Sequence, residues 1–401
     1  MPFGEAVRQD AGVVILSEVL PMKRLPVRLV LLPLLAVLFT GRAGAEGLEV
    51  RTLKVIPKPE AESVFPVGDL QMALVTHGTP EVGANINDGL FIGRFKALTP
   101  TKVAARLPAD GLDLSGLSEQ SFSVTRNDGR LLTIRFDVEG CGAYCESYSV
   151  AYTFDTRTGR QVNPGELFTP AGVRALVLRM HKEKLRLYRE QVARYERELK
   201  PSSKKTPASD TVENLEERLA FNRECLEGVE ANAEEERTRS YFHERWEFDG
   251  AEARMIAGRC SNHASRALDD VDKVSLALSY DSLRPHLTAY GKRVLLGEGQ
   301  GVSGDVFGQV LRGRIGKMPI VMMLERQRDD SVSGVYFYEK HRKPIEVDGR
   351  LEGGKLELQE RDADGNSTGS LRLEVGKNLL RGEWVGKQSL KMELRAPSSP
   401  E

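Results

Sequence analysis

Histidine, cysteine and tryptophan are scarce in this chain: 6, 4 and 2 of 401 residues. The histidines (His77, His181, His243, His263, His286, His341) are scattered, and none stands beside a Ser or Cys in a nucleophile–base pattern. There is no Gly-x-Ser-x-Gly elbow, no P-loop and no His-Glu-x-x-His; His243-Glu244-Arg245-Trp246-Glu247 misses the last by one residue. An excess of one charge is also lacking, since 57 Lys+Arg face 58 Asp+Glu. That balance excludes a polyanion such as nucleic acid as the main partner. Beyond residue 45 no apolar run is long enough to span a membrane.

One apolar run does stand near the start. Leu29–Phe39 holds eleven residues, too few for a stable span and the right length for a signal core. Lys23, Arg24 and Arg28 precede it, and Ala43-Gly44-Ala45 offers a processing site. Residues 1–45 are therefore read as a cleavable signal, with an upstream start misassigned ahead of Met22 and a mature chain from Glu46. No Cys follows the apolar core, so a lipoprotein is not expected. The mature protein is expected in the periplasm or outside the cell.

An even number of cysteines in an exported chain reads first as disulfides. Cys141, Cys145, Cys225 and Cys260 allow three connectivities; proximity favours Cys141–Cys145, which leaves Cys225–Cys260. Zinc is the competing reading, with Cys141, Cys145, Cys260 and His263 as ligands, but the spacing is loose and the compartment oxidising.

The mature chain reads as two parts, an α+β domain over 46–295 and an all-β domain over 305–396. In the first, strands at Phe122–Val124 and Leu131–Val138 flank Asn127-Asp128-Gly129, a hairpin signal. Tyr148, Val150, Tyr152 and Phe154 alternate along another strand. Gly83–Phe91 reads as a short helix. Thr169-Pro170 opens a long one with an N-cap residue and Pro at the first turn. A second helix from about Asp210 completes a charged helical hairpin over about 170–238, inserted into a mixed sheet. Hairpin strands around Asp249-Gly250, a strand at Val274–Tyr280 and a last helix capped by Asp281 follow. Gly297–Gly304 reads as a Gly-rich linker over 296–304. Beyond it turn signals recur about every ten residues: Gly316-Lys317, Asp329-Asp330, Gly353-Gly354, Asp364-Gly365, Gly376-Lys377 and Gly386-Lys387. About eight short strands are expected there, as an antiparallel meander or small barrel.

The run Tyr148–Phe168 carries Phe154-Asp155, Thr158-Gly159 and Leu167-Phe168 in order. Upstream stands Ala84-Asn85-Ile86-Asn87, and downstream Tyr280–Tyr290. Over about residues 60–295 this resembles the extracytoplasmic RsiV-like domain family, found in the extracellular part of the anti-sigma factor RsiV and as the accessory domain of the peptidoglycan deacetylase PdaC. The resemblance implies a binding module: the RsiV domain binds lysozyme, and the PdaC domain accompanies a separate catalytic domain that this chain lacks. No lysozyme-contacting residues carry over, and the resemblance does not reach the β meander.

Other candidate chemistry reads as structural. Gly299-x-Gly301-x-x-Gly304 precedes a strand rather than a helix, against a dinucleotide site. Asp362, Asp364 and Asn366 form a turn with a misplaced Gly365, not a calcium loop. In Tyr336-Phe337-Tyr338, Phe337 joins Val335 in the core and leaves Tyr336 and Tyr338 exposed, as possible stacking residues for a ligand. No catalytic residue, metal or cofactor is assigned. The expectation is an exported, non-catalytic envelope protein that binds a lysozyme-like protein or a cell-wall glycan such as peptidoglycan. The alternatives are a cell-wall hydrolase using Asp269 and Asp272 as acid/base carboxylates, and a structural spacer.

Overall fold

In a computed structural model the described residues are 47–57, 68–76, 78–102, 104–142, 144–200, 209–362 and 365–398. The signal-like segment lies outside them. The first part is α+β and the second a closed barrel, as the sequence predicts. A seven-stranded sheet comprises β1 (Val50–Ile56), β2 (Leu70–Val75), β3 (Arg106–Pro108), β4 (Leu117–Asn127), β5 (Leu131–Cys141), β6 (Cys145–Asp155) and β7 (Arg160–Gln161). Its order is β3-β1-β2-β4-β5-β6-β7.

Helix α1 (Pro80–Phe95) covers one face of this sheet. Thr79 caps it, accepting from the Val82 amide at 3.3 Å, and Lys96 ends it in a left-handed conformation (φ 46°). Ile86, Leu90, Phe91 and Phe95 pack on Leu70, Met72, Leu132, Ile134, Phe136 and Phe154. The helix also buries three polar side chains, each with partners. Asn87 exchanges two hydrogen bonds with the Val75 backbone (2.8 and 2.9 Å), so its amide stands in for a strand neighbour at the end of β2. Asn85 donates to the Thr158 carbonyl, and Asp88 accepts from the Thr99 amide. The Thr158 turn passes so close that a Cβ on Gly159 (φ 71°) would lie 2.6 Å from the Val82 carbonyl oxygen.

The helical hairpin follows a four-residue α2 (Pro164–Leu167) that the sequence reading missed. It consists of α3 (Pro170–Glu198, capped by Thr169), α4 (Ser209–Ala231) and a short α5 (Ala233–Thr238). The base of α3 buries Val173, Leu176, Val177 and Met180 against a three-stranded sheet of β8 (Arg245–Phe248), β9 (Glu252–Ala257) and β10 (Val274–Ser279). The closing helical run is capped by Ser279, not Asp281. It continues beyond Gly291 through Leu296, because Val294 and Leu295 still bury in this core.

The barrel is formed by β11 (Leu311–Ile315), β12 (Met318–Arg326), β13 (Ser331–Tyr338), β14 (Ile345–Glu352), β15 (Lys355–Arg361), β16 (Ser367–Gly376), β17 (Leu379–Val385) and β18 (Ser389–Arg395). All neighbours are antiparallel, and β11 pairs β18 to close it. Inward side chains such as Ile320, Leu324, Leu358, Leu371 and Leu394 fill the interior.

The barrel is fastened to the first part by apolar and polar contacts. Outward-facing Val321, Met323, Val335 and Phe337 pack on Ile92 and Leu98. Beside this patch the buried Arg160 donates to Glu166 (2.6 Å), Ser303 (3.1 Å), the Asp305 carbonyl (2.5 Å) and Asn378 (3.2 Å). Arg312 reaches back to Asn85 (3.0 Å) and Asp88 (2.7 Å), and Gln309 pairs both ends of its amide with the Gln161 backbone. The Gly-rich stretch is part of this packing. A Cβ on Gly301 would come within 2.2 Å of the Ala289 backbone, so its glycine serves close approach as well as flexibility.

The β4–β5 hairpin makes a test by pH. Burial pushes the Asp128 carboxyl up, but the Leu131 and Arg130 amides and the Arg126 guanidinium outweigh it and hold the pKa at about 2. A depressed folded pKa adds stability above the unfolded value of about 3.9 and loses it as pH falls towards about 2. In urea titrations the stability gap between wild type and Asp128→Asn is therefore expected to shrink from about pH 5 to about pH 2. A gap independent of pH contradicts this.

Candidate groove on the open sheet face

Strand alternation divides β5 into two sets. Leu132, Ile134, Phe136 and Val138 face α1. Leu131, Thr133, Arg135, Asp137 and Glu139 face the other way. The lower half of that second face is covered: Leu131 enters the core beneath α3, and Thr133 bonds Thr153 at 3.0 Å. The upper half is not. There Glu119 and Ser121 of β4, Asp137 and Glu139 of β5, and Ser147 and Ser149 of β6 line an open groove of about 560 Å³. Asp69, Gln71, Tyr148 and Lys273 complete its walls. A second hollow of about 330 Å³, around Arg135, lies against the β8–β9 hairpin at Glu247, Asp249 and Arg254.

Arg135, Asp137 and Ser149 form one knot: the guanidinium donates to Asp137 at 2.9 Å and to Ser149 at 3.1 Å, and the serine hydroxyl donates to Asp137 at 2.7 Å. Asp69 is paired with Lys54 at 2.5 Å. Glu119 and Glu139 differ. They are register partners, directly opposite on β4 and β5, and neither side chain has an ion pair among the described residues. Like charges facing across adjacent strands repel. The groove offers carboxylates and serine hydroxyls, with Lys273 exposed at its edge; Tyr148, opposite Val138, is half-exposed at its rim on the other side of β6. Its walls supply hydrogen-bond acceptors and negative charge.

The predicted site residues fall elsewhere. Both disulfides form with the pairing that proximity favours, Cys141–Cys145 and Cys225–Cys260. On loop-closure entropy the second stabilises by about 4 kcal/mol and the first by about 2. Bonding to Cys225 withdraws Cys260 from the zinc set, and His263 instead stacks on Tyr144 with centroids 3.9 Å apart. Asp364 lies outside the described residues, and Asp362 accepts from the Asn366 amide at 2.8 Å as a turn residue does.

Tyr336 is not exposed as expected: it is wholly buried inside the barrel. Its hydroxyl donates to Glu360 at 2.7 Å, beside the Trp384 indole at 2.7 Å and the Thr368 hydroxyl at 2.8 Å. Burial, reinforced by Glu360, pushes the Tyr336 pKa up. Tyr338 is half-buried, edge-on to Tyr336. The expectation failed because both faces of β13 are covered, the outer one by α1.

Asp269 and Asp272 are not arranged as an acid/base pair. Asp269 is buried and accepts from the amides of Ser261 and Asp272, both at 3.0 Å, and from the Tyr188 hydroxyl at 3.5 Å. Neighbouring Asp270 binds Arg218 of α4 through both oxygens at 2.8 Å. The cluster thus clasps the helical hairpin to the sheet. Asp269→Ala is expected to lower the unfolding free energy by about 2 kcal/mol, because two amides lose their acceptor. A urea midpoint equal to wild type would remove this role.

The alternation of Arg135, Asp137 and Glu139 with Ile134, Phe136 and Val138 is visible in the sequence. Which polar residues of β4 and β6 stand beside them depends on register, and the reading did not reach it.

No family model matches the chain, and no curated protein does. Among solved structures it is similar to a DUF3298 family member from Bacteroides fragilis, with 11% identity and a TM-score of 0.35. The match covers 64% of this chain and all of that one. Among the described residues no helix is long and apolar enough to cross a membrane.

Proposed function

We propose that this is an exported, non-catalytic envelope protein that binds a cationic, lysozyme-like protein through the groove. The observation that supports it is the facing pair Glu119 and Glu139, neither of which forms an ion pair among the described residues. A lysine or arginine of a partner placed between them would relieve their repulsion and gain two charge-assisted hydrogen bonds. The signal-like segment up to residue 45 and the two disulfides fit an extracytoplasmic location, in the periplasm or beyond it. The RsiV-like sequence features agree with a protein partner. A second reading, a peptidoglycan strand, draws on the Ser147 and Ser149 hydroxyls in the groove and the exposed Tyr148 at its rim.

The test is titration of the mature chain with lysozyme and with soluble peptidoglycan fragments, repeated with Glu119→Gln/Glu139→Gln. Saturable lysozyme binding that the double variant weakens about fivefold is expected, from about 1 kcal/mol lost across two exposed charges. The difference should diminish with added salt. Glycan binding indifferent to the double variant would favour the second reading. Failure to bind either would overturn both.

A further inference from the structure

The Glu139 carboxylate is close to the Cys141–Cys145 pair at the upper end of the groove: one donor atom from each of these three residues lies within 4.8 Å of the others. The two cysteines are directly opposite at the tip of the β5–β6 hairpin. Cys145 is exposed and Cys141 half-buried; in the other bridge Cys260 is exposed and Cys225 almost wholly buried. Thiol–disulfide exchange requires a thiolate to reach a sulfur, and neither cysteine of the Cys141–Cys145 bridge is fully buried. That bridge joins cysteines four positions apart, in a hairpin already held by the β5–β6 ladder. Opening it therefore leaves the strand pairing in place.

We propose that the reduced hairpin tip is a zinc site, with Cys141 Sγ, Cys145 Sγ and a Glu139 carboxylate oxygen as ligands. Two thiolates and one carboxylate suit a borderline-soft divalent ion and leave a fourth tetrahedral position open to water. Glu139 is available because its side chain has no ion pair among the described residues, and Glu119 opposite adds negative charge beside it. This site differs from the zinc alternative weighed against disulfides in the sequence: Glu139 enters, and Cys260 and His263 do not.

The chemistry balances with a dithiol as reductant. Its two sulfurs join in a new disulfide and supply two electrons to the Cys141–Cys145 bond. Each freed cysteine sulfur takes one proton, and both protons pass to solvent when the thiolates bind the ion. The inference is independent of the partner reading, because it concerns an ion and not a protein.

The mature chain is treated with a dithiol until alkylation and mass spectrometry show Cys141 and Cys145 free and the Cys225–Cys260 bridge intact. After removal of the reductant it is titrated with Co²⁺ and with Zn²⁺. One equivalent of Co²⁺ with thiolate-to-metal charge-transfer absorption, displaced by Zn²⁺, is expected for the reduced chain and not for the oxidised one. Glu139→Gln should weaken binding at least ~10-fold, since loss of an outer-shell partner alone costs that much. Cys141→Ser/Cys145→Ser, with an unchanged circular dichroism spectrum, should bind no metal. Equal metal uptake by oxidised and reduced chains, uptake retained by the serine variant, or indifference to Glu139→Gln would each overturn the proposal.

Discussion

Arg160 is the point on which the arrangement of the molecule turns. It is 2% exposed, and its guanidinium joins Glu166, Ser303, the Asp305 carbonyl and Asn378, which come from both parts of the chain. A buried cation is tolerated only with such partners. Glu166 beside it is buried too, and burial pushes its carboxyl pKa up against the pull of Arg160. The charges therefore add to a junction whose apolar portion packs Ile92 and Leu98 on Val310, Val321, Met323, Val335 and Phe337. Breaking the Arg160–Glu166 pair from one side strands the other charge and costs about 3–5 kcal/mol.

That junction fixes what remains exposed. The barrel occupies α1 on one side of the large sheet, while α3 and the small sheet cover only the lower half of the opposite face. The upper half is left as a polar surface. Rigid strands hold Glu119 and Glu139 opposite one another, so their repulsion cannot be relieved by a backbone shift without breaking the ladder. The folding energy of the β4–β5–β6 ladder maintains this close pair of like charges at the surface. The same hairpin end carries the Cys141–Cys145 bridge, so charge and sulfur chemistry meet at one edge of the groove.

The local signals legible in the sequence were those that act within a few residues. Thr169-Pro170 starts α3, Asn127-Asp128-Gly129 turns β4 into β5, and recurring turn residues mark out the eight barrel strands. Phe154 and Leu167 enter the cores, and Asn85 spans to Thr158, 73 residues away. The missing parts depend on distant neighbours. Tyr336 reads as a surface residue by alternation, yet α1 covers the outer face of its strand and Glu360 receives its hydroxyl inside. The Asp269–Asp272 cluster looks like acid/base chemistry until its amide and arginine partners are in place. The groove needs the register of three strands to appear at all.

The most direct test of this account is whether barrel and α+β part unfold together because of Arg160. The chain has two tryptophans, Trp246 beneath α3 and Trp384 in the barrel, so each part carries its own fluorescent reporter. Urea unfolding would be followed in Trp246→Phe and Trp384→Phe, each with Arg160 intact and with Arg160→Met. The account predicts coincident transitions with Arg160 and separated ones without it, as expected when one cooperative unit becomes two. Transitions already separate with Arg160 in place, or still coincident after its removal, would contradict it.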